Sequence, residues 1–129
     1  MLPSVKDDFI ALLYASATNQ NLPESIKLSS DKCMTVVIAS QGYPENYPKG
    51  DLITFPSDIP QKTEIIHAGT RLKEGKIYSN GGRVLSITSQ DETILKAREK
   101  IYSLCEAIDY KAKYYRNDIA HREIKRLND

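Results

Sequence analysis

The stretch Ile65-Ile66-His67-Ala68-Gly69-Thr70-Arg71-Leu72-Lys73-Glu74-Gly75-Lys76-Ile77-Tyr78-Ser79-Asn80-Gly81-Gly82-Arg83-Val84-Leu85 decides the fold. It sets two tight-turn signals, Lys73-Glu74-Gly75-Lys76 and Asn80-Gly81-Gly82, between β-rich runs. Asn and Gly suit hairpin turns because positive φ costs glycine nothing and asparagine little. Arg83 directly follows two residues without side chains. A guanidinium beside open backbone N–H groups is suited to an anionic ligand. The plain alternative is a well-made turn with a surface arginine.

Three strands are expected here as a meander: Lys62 to Leu72, Lys76 to Ser79 and Arg83 to Thr88, each pairing with the next. Upstream, Cys33 to Ala39 is a continuous β-branched run, the mark of a strand covered on both faces. Gln41 to Gly50 holds two prolines, two glycines and two tyrosines, which predicts an ordered loop. Leu52 to Phe55 is a brief strand closed by Pro56. Ser4 and Asp7 read as a helix start, with Val5, Phe9, Leu12, Leu13 and Ser16 on one face, fading by Asn19-Gln20-Asn21. Ser89-x-x-Glu92 reads as a capping box. Ile94, Ala97, Ile101, Leu104, Cys105 and Ile108 then recur at helical spacing, to an end near Asp109. Lys111 to Arg116 fits strand or extended coil, and Asp118 is expected to cap a short terminal helix. The fold class is α+β: an antiparallel sheet or partial barrel with an N-terminal helix, a long flanking helix and a short C-terminal one.

At 129 residues the chain is one domain's worth, too short for a typical two-domain enzyme. A net charge of +1 gives no bulk attraction to nucleic acid or an acidic membrane. No apolar run reaches the about 18 residues of a membrane span, and the start lacks the pattern of a secretory signal. A cytoplasmic location follows as the expectation. Cys33 and Cys105 are expected as two buried thiols. His67 and His121 offer no metal-ligand spacing. Neither a P-loop nor a G-x-G-x-x-G turn is present in the sequence.

His67-Ala68-Gly69-Thr70, a short basic hairpin and Asn80-Gly81-Gly82-Arg83-Val84-Leu85 resemble the C-terminal domain of the phosphoribosylamine–glycine ligase family. Val36 to Pro44 with Tyr47 and Lys49-Gly50, then Ala97 to Tyr102, then Tyr114 to Ile119, agree in order and spacing. The resemblance runs from about Leu2 to Arg122. It implies a rudimentary hybrid-motif assembly attached to an ATP-grasp body, with residues 1–30 the helical tail of that body and 31–129 the C-terminal domain. The family joins glycine to 5-phosphoribosylamine with ATP and Mg2+ or Mn2+. Its ATP- and metal-binding groups lie upstream of the residues matching Leu2-Pro3, so the resemblance implies the C-terminal piece of a longer enzyme, inactive and cofactor-free alone. A cloned fragment, a misplaced start and a split gene all fit.

By the same resemblance, Arg83 sits where related ATP-grasp enzymes grip a ribonucleotide phosphate, with Gly81 and Gly82 opening the backbone to it. Asn80 holds ribose hydroxyls or shapes the turn. His67 is a hydrogen-bonded structural histidine at the domain junction or a substrate contact. Tyr43, Pro44 and Tyr47 pack the loop against the ATP-grasp body, and Lys49 reaches an anion or is solvated. Arg116 and Asp118 brace the C-terminal turn. Ala120, where the family commonly has glycine, and Pro48 depart from its pattern. Two other classes stand beside this one. A stand-alone interaction or regulatory module would keep the fold without the chemistry. A nucleic-acid binder using Arg116, Arg122, Lys125 and Arg126 is opposed by the acids interleaved among them.

Overall fold

The computed structural model describes residues 2–128. Its centre is an antiparallel pairing of two nine-residue strands, β1 (Lys32–Ser40) and the strand Arg83–Asp91, with Val36 opposite Ile87 and Ile38 opposite Leu85. Between them in sequence lie β2 (Leu52–Ile53), β3 (Thr63–His67), β4 (Thr70–Lys73) and β5 (Lys76–Ser79), so Arg83–Asp91 is β6, and Lys113–Tyr114 is β7. The strands form two antiparallel sheets, ordered β3-β6-β1-β7 and β2-β5-β4. Three helices accompany them: α1 (Phe9–Ala17), α2 (Ile94–Ala107) and α3 (His121–Asn128). The α+β class and the antiparallel pairing stand as expected. No described helix is long and apolar enough to cross a membrane.

The core lies where α2 covers one face of the larger sheet. Ala97, Ile101, Leu104 and Cys105 of α2 meet Met34, Val36 and Ile38 of β1 and Val84, Leu85 and Ile87 around β6, all nearly or fully buried. Lys113 fastens the far end of α2, its Nζ donating to the carbonyls of Cys105, Glu106 and Ile108, acceptors that a helix C-terminus leaves free.

Several expectations need correction. The strand at Cys33 to Ala39 is covered on one face only. Val36 and Ile38 are buried under α2 while Val37, on the opposite face of the strand, is 41% exposed. The meander is broken at Ala68-Gly69. β4 and β5 pair as a hairpin, but β5 does not pair with β6; β3 does, with Ile65 opposite Ile87. The chain leaves the larger sheet at His67 and re-enters it at Arg83.

Glu74 and Gly75 take φ of 51° and 72°, the two-residue hairpin turn expected of Lys73–Lys76. Asn80-Gly81-Gly82 is not such a turn. Its glycines have no positive φ and serve close approach instead: a methyl group at Gly69 would stand 2.7 Å from Gly81 Cα and 2.6 Å from the Arg83 carbonyl.

Helix starts were also displaced. Asp8, not Ser4, caps α1, its Oδ1 accepting from the amides of Ile10 and Ala11 at 3.0 Å. β6 runs on to Asp91, paired with Lys32, so Ser89 stays in the sheet and Thr93 caps α2. Asp118 does not cap α3 with its carboxylate, which Arg116 holds at 2.9 and 2.6 Å. The Asp118 carbonyl accepts from the His121 amide instead, and Ala120 opens the helix at φ 66°. Lys111 to Arg116 contributes the two-residue β7 against Ala39 and Ser40. Both cysteines are free, Cys105 buried but Cys33 only half-buried at the start of β1.

Candidate functional site

Arg83 opens β6 beside an irregularity in the β1–β6 ladder. Ile38 pairs with Leu85 and the next residue, Ala39, with Arg83, so Val84 is the extra residue of a bulge. Bulges re-aim side chains at sheet ends. Val84 turns into the core at 0% exposure while Arg83 stands exposed. The backbone around it is held from both sides. The amide of Ser40 donates to the Gly82 carbonyl at 2.8 Å and its hydroxyl to the Gly81 carbonyl at 3.2 Å. Gly69 donates to the Arg83 carbonyl at 2.9 Å, and Asn80 to the Gly69 carbonyl at 2.7 Å.

Tyr43 completes this place. It follows Gly42 in the loop after β1, its amide donating to the Ser40 carbonyl at 3.1 Å, and its ring lies directly on Gly82. Tyr43 packs edge-on to Tyr47, ring centroids 5.7 Å apart. Tyr43, Gly82 and Arg83 therefore meet, and the open face of the larger sheet adds Val37 and Ser86. Arg83 and Tyr43 also line an apolar trough of about 280 Å³, together with Val37, Tyr114, Tyr115 and Arg116.

The two arginines of this trough differ in what already holds them. Arg116 is neutralised by its fork onto Asp118, whose carboxyl that hydrogen bond holds below the ordinary range. Arg83 has no hydrogen-bond or ion-pair partner among the described residues. A partnerless guanidinium over an apolar floor can take a phosphate or carboxylate bidentately without first giving up another contact.

The other residues singled out in sequence lie elsewhere. Asn80 and Lys49 line a separate groove on the smaller sheet, together with Arg71, Lys73 and Tyr78. His67 faces a third depression beside Phe55 and Ile59. Its Nδ1 is 3.1 Å from Thr70 Oγ1 and its ring centroid 5.5 Å from that of Phe55. Tyr114 and Val37 in the trough, and Arg71, Lys73 and Tyr78 in the second groove, were not singled out. The alternation Arg71-x-Lys73 in a short strand was the available signal for the latter.

No three His, Cys, Asp or Glu side chains come together as a metal site among the described residues. The divalent cation that the family resemblance implies finds no donor set among these residues.

Comparison with known proteins agrees with this architecture. The family model described as phosphoribosylglycinamide synthetase, C domain, matches residues 33–122. The chain is 40% identical over 126 residues to the bifunctional purine biosynthetic protein PUR2,5 of Pichia angusta, covering 97% of this chain and 16% of that protein. It is 32% identical over 126 residues to the phosphoribosylamine–glycine ligase of Agrobacterium fabrum, covering 98% of this chain and 30% of the relative. The crystal structure of phosphoribosylamine–glycine ligase from Thermotoga maritima superposes with a TM-score of 0.70 at 33% identity, over 85% of this chain and 27% of that one. The chain thus spans less than a third of the length of these relatives. With the match covering both sheets and α2, the chain belongs to the phosphoribosylglycinamide synthetase C-domain family.

Proposed function

We propose that this chain supplies the C-terminal domain of a phosphoribosylamine–glycine ligase in cytoplasmic purine synthesis and works against an ATP-grasp body. In that reaction ATP phosphorylates the glycine carboxylate, and the 1-amino group of 5-phosphoribosylamine displaces phosphate to give glycinamide ribonucleotide. The observation that carries the reading is Arg83, an exposed, partnerless guanidinium fixed by clamped backbone at the mouth of a groove on the uncovered sheet face. Its part is to hold the phosphate of the ribosylamine so that the amine meets the acyl phosphate, a positioning role of the kind that dominates such chemistry. Tyr43 and Val37 give that phosphate's neighbourhood its apolar wall.

The ATP-grasp body is the partner that the remaining surface fits. Ile10, Leu13 and Tyr14 of α1 are 79, 55 and 62% exposed, and α1 buries no residue. An apolar helix face of this kind marks an interaction surface. Residues 1–30 would complete the body, and 31–129 would close one side of its cleft.

The test joins this chain to a body. Replacing the matching segment of the Agrobacterium fabrum ligase with residues 2–128 should give a chimera that releases phosphate from ATP only with glycine and phosphoribosylamine both present. The chain alone should release none. A folded chimera that binds ATP but never ligates overturns the reading in favour of a stand-alone module. Turnover by the isolated chain overturns the need for the body.

A further inference from the structure

The face of the smaller sheet carries a second feature that Arg83 does not explain. In an antiparallel ladder, directly opposed residues point to the same side. Arg71 opposes Tyr78, which opposes Leu52, and Lys73 opposes Lys76. Arg71, Lys73, Lys76, Tyr78 and Leu52 therefore share one face. Leu72, Ile77 and Ile53 share the other, with Ile53 buried at 4% against the core. Lys49 joins the outward face from the loop before β2, its ammonium 5.7 Å from the centroid of the Tyr47 ring.

Four cations thus lie together with no ion pair among the described residues. Two of them, Lys73 and Lys76, stand directly opposed, an arrangement that destabilises a sheet. The neighbouring acids do not relieve it. Asp51 spends its Oδ2 on the Ala112 amide at 2.9 Å, and Glu74 at the hairpin tip makes no ion pair with them. The concentration is local, since the whole chain carries only +1.

The groove among these groups, about 340 Å³, is lined by Lys49, Arg71, Lys73, Tyr78 and Asn80. Its frame is rigid. Ser79, 2% exposed, donates its amide to the Asp51 carbonyl at 2.8 Å and accepts from the Asp51 amide at 3.1 Å through its hydroxyl, while Gly50 donates to the Ser79 carbonyl at 2.7 Å. Those bonds lock the loop that carries Lys49 to the strand that carries Tyr78. One guanidinium fork, ammonium groups beside it and an aromatic floor form a pocket of single sign, which focuses field on a compact anion.

We propose that this groove binds the phosphate of a small phosphorylated ligand, at a site separate from Arg83. The guanidinium of Arg71 grips two phosphate oxygens, Lys73 and Lys49 neutralise the remaining charge, and Tyr78 with Asn80 receives the part of the ligand next to the phosphate. The near-neutral chain as a whole speaks for a small ligand over a polyanion such as nucleic acid.

The test uses the full 129-residue chain. Pyrophosphate, uridine monophosphate and uridine are titrated separately while backbone amide NMR shifts are followed. Saturable shifts are expected at 49–50 and 71–80 with millimolar affinity for both phosphorylated probes and none for uridine. Tighter binding of uridine monophosphate than of pyrophosphate is the expected order, because Tyr78 and Asn80 receive the part next to the phosphate; the reverse order would overturn the proposal in favour of a site for free oxyanions. Arg71→Gln and Lys73→Gln should each weaken binding by about tenfold, and both sites are exposed and partnerless, so the fold should persist. Arg83→Ala should leave these shifts in place. Shifts centred on 83–86, shifts that survive both glutamine variants, or no saturable response to either phosphorylated probe would overturn the proposal. None of those outcomes bears on ligation by the chimera.

Discussion

The ring of Tyr43 occupies the space that a side chain on Gly82 would need: a methyl group there would come 1.9 Å from Tyr43 Cδ2 and 2.4 Å from Cε2. The loop after β1 and the entry to β6 are thereby fitted to each other next to Arg83. Gly82→Ala should expel the ring and cost about 1–3 kcal/mol of stability, as overpacking does. Tyr43→Ala should cancel much of that cost, leaving a coupling of about 0.5–3 kcal/mol in a double-mutant cycle of urea unfolding. Additive losses would show that the two residues are not packed as described.

Ala120, the residue just before α3, has φ 66°, and its carbonyl accepts from the Ile124 amide at 3.0 Å. A left-handed backbone places an alanine Cβ against its own carbonyl, at a cost of about 1–2 kcal/mol that glycine avoids. Ala120→Gly recovers that cost less the larger chain entropy of unfolded glycine, for a net gain of about 0.5–1 kcal/mol. A higher denaturation midpoint is the expected measurement. A lower one would show that the backbone here is not left-handed.

The hairpin at Lys73–Lys76 was legible in sequence because its cause is local: Gly75 supplies positive φ between two short β-rich runs. Asn80-Gly81-Gly82 looks alike in composition, yet its glycines answer to Gly69 and Tyr43, residues far away in sequence. The strand pairing failed for the same reason. Ile65 faces Ile87 across the sheet, a long-range choice that outweighed the nearer partner on β5. Ser89 was the expected cap of α2, but the β1 ladder holds it opposite Met34, and the role passes to Thr93. On the uncovered sheet face, Gly82-Arg83 stands out in sequence because an arginine after glycines is conspicuous. Arg71 and Lys73 look like an ordinary solvated strand until Tyr78, Lys76 and Lys49 are placed beside them.

Two weak acids in the core set an alkaline limit. Burial pushes the Cys105 thiol from 9.0 up to about 12, partly opposed by Lys113. Burial likewise pushes the Tyr110 hydroxyl from 10.0 to about 12, and that hydroxyl donates to the Ala39 carbonyl at 2.6 Å. Both groups are neutral in the fold and ionise more readily once unfolded. Their raised values mean stability is fully present below pH 9.0 and falls progressively toward about pH 12. Unfolding free energy measured across that window should decline, and Cys105→Ala should flatten the part of the decline that starts lowest. A profile indifferent to pH across the window would contradict the burial of both groups.

Arg83 is where site and fold can be separated. Its guanidinium braces nothing among the described residues, so Arg83→Ala should leave the melting temperature of this chain nearly unchanged. In the chimera with an ATP-grasp body, the same change should remove a charge-assisted contact worth about 1.5–3 kcal/mol. That is about 10- to 150-fold in affinity, and it should fall on phosphoribosylamine while the KM for ATP stays close to its original value. Arg83→Lys should recover only part of the loss, because an ammonium cannot reproduce the two parallel N–H groups of the fork. Substrate KM values read beside melting curves check this directly. If Arg83→Ala lowers the melting temperature and leaves every KM intact, Arg83 is a brace for the β6 entry and the phosphate contact lies elsewhere.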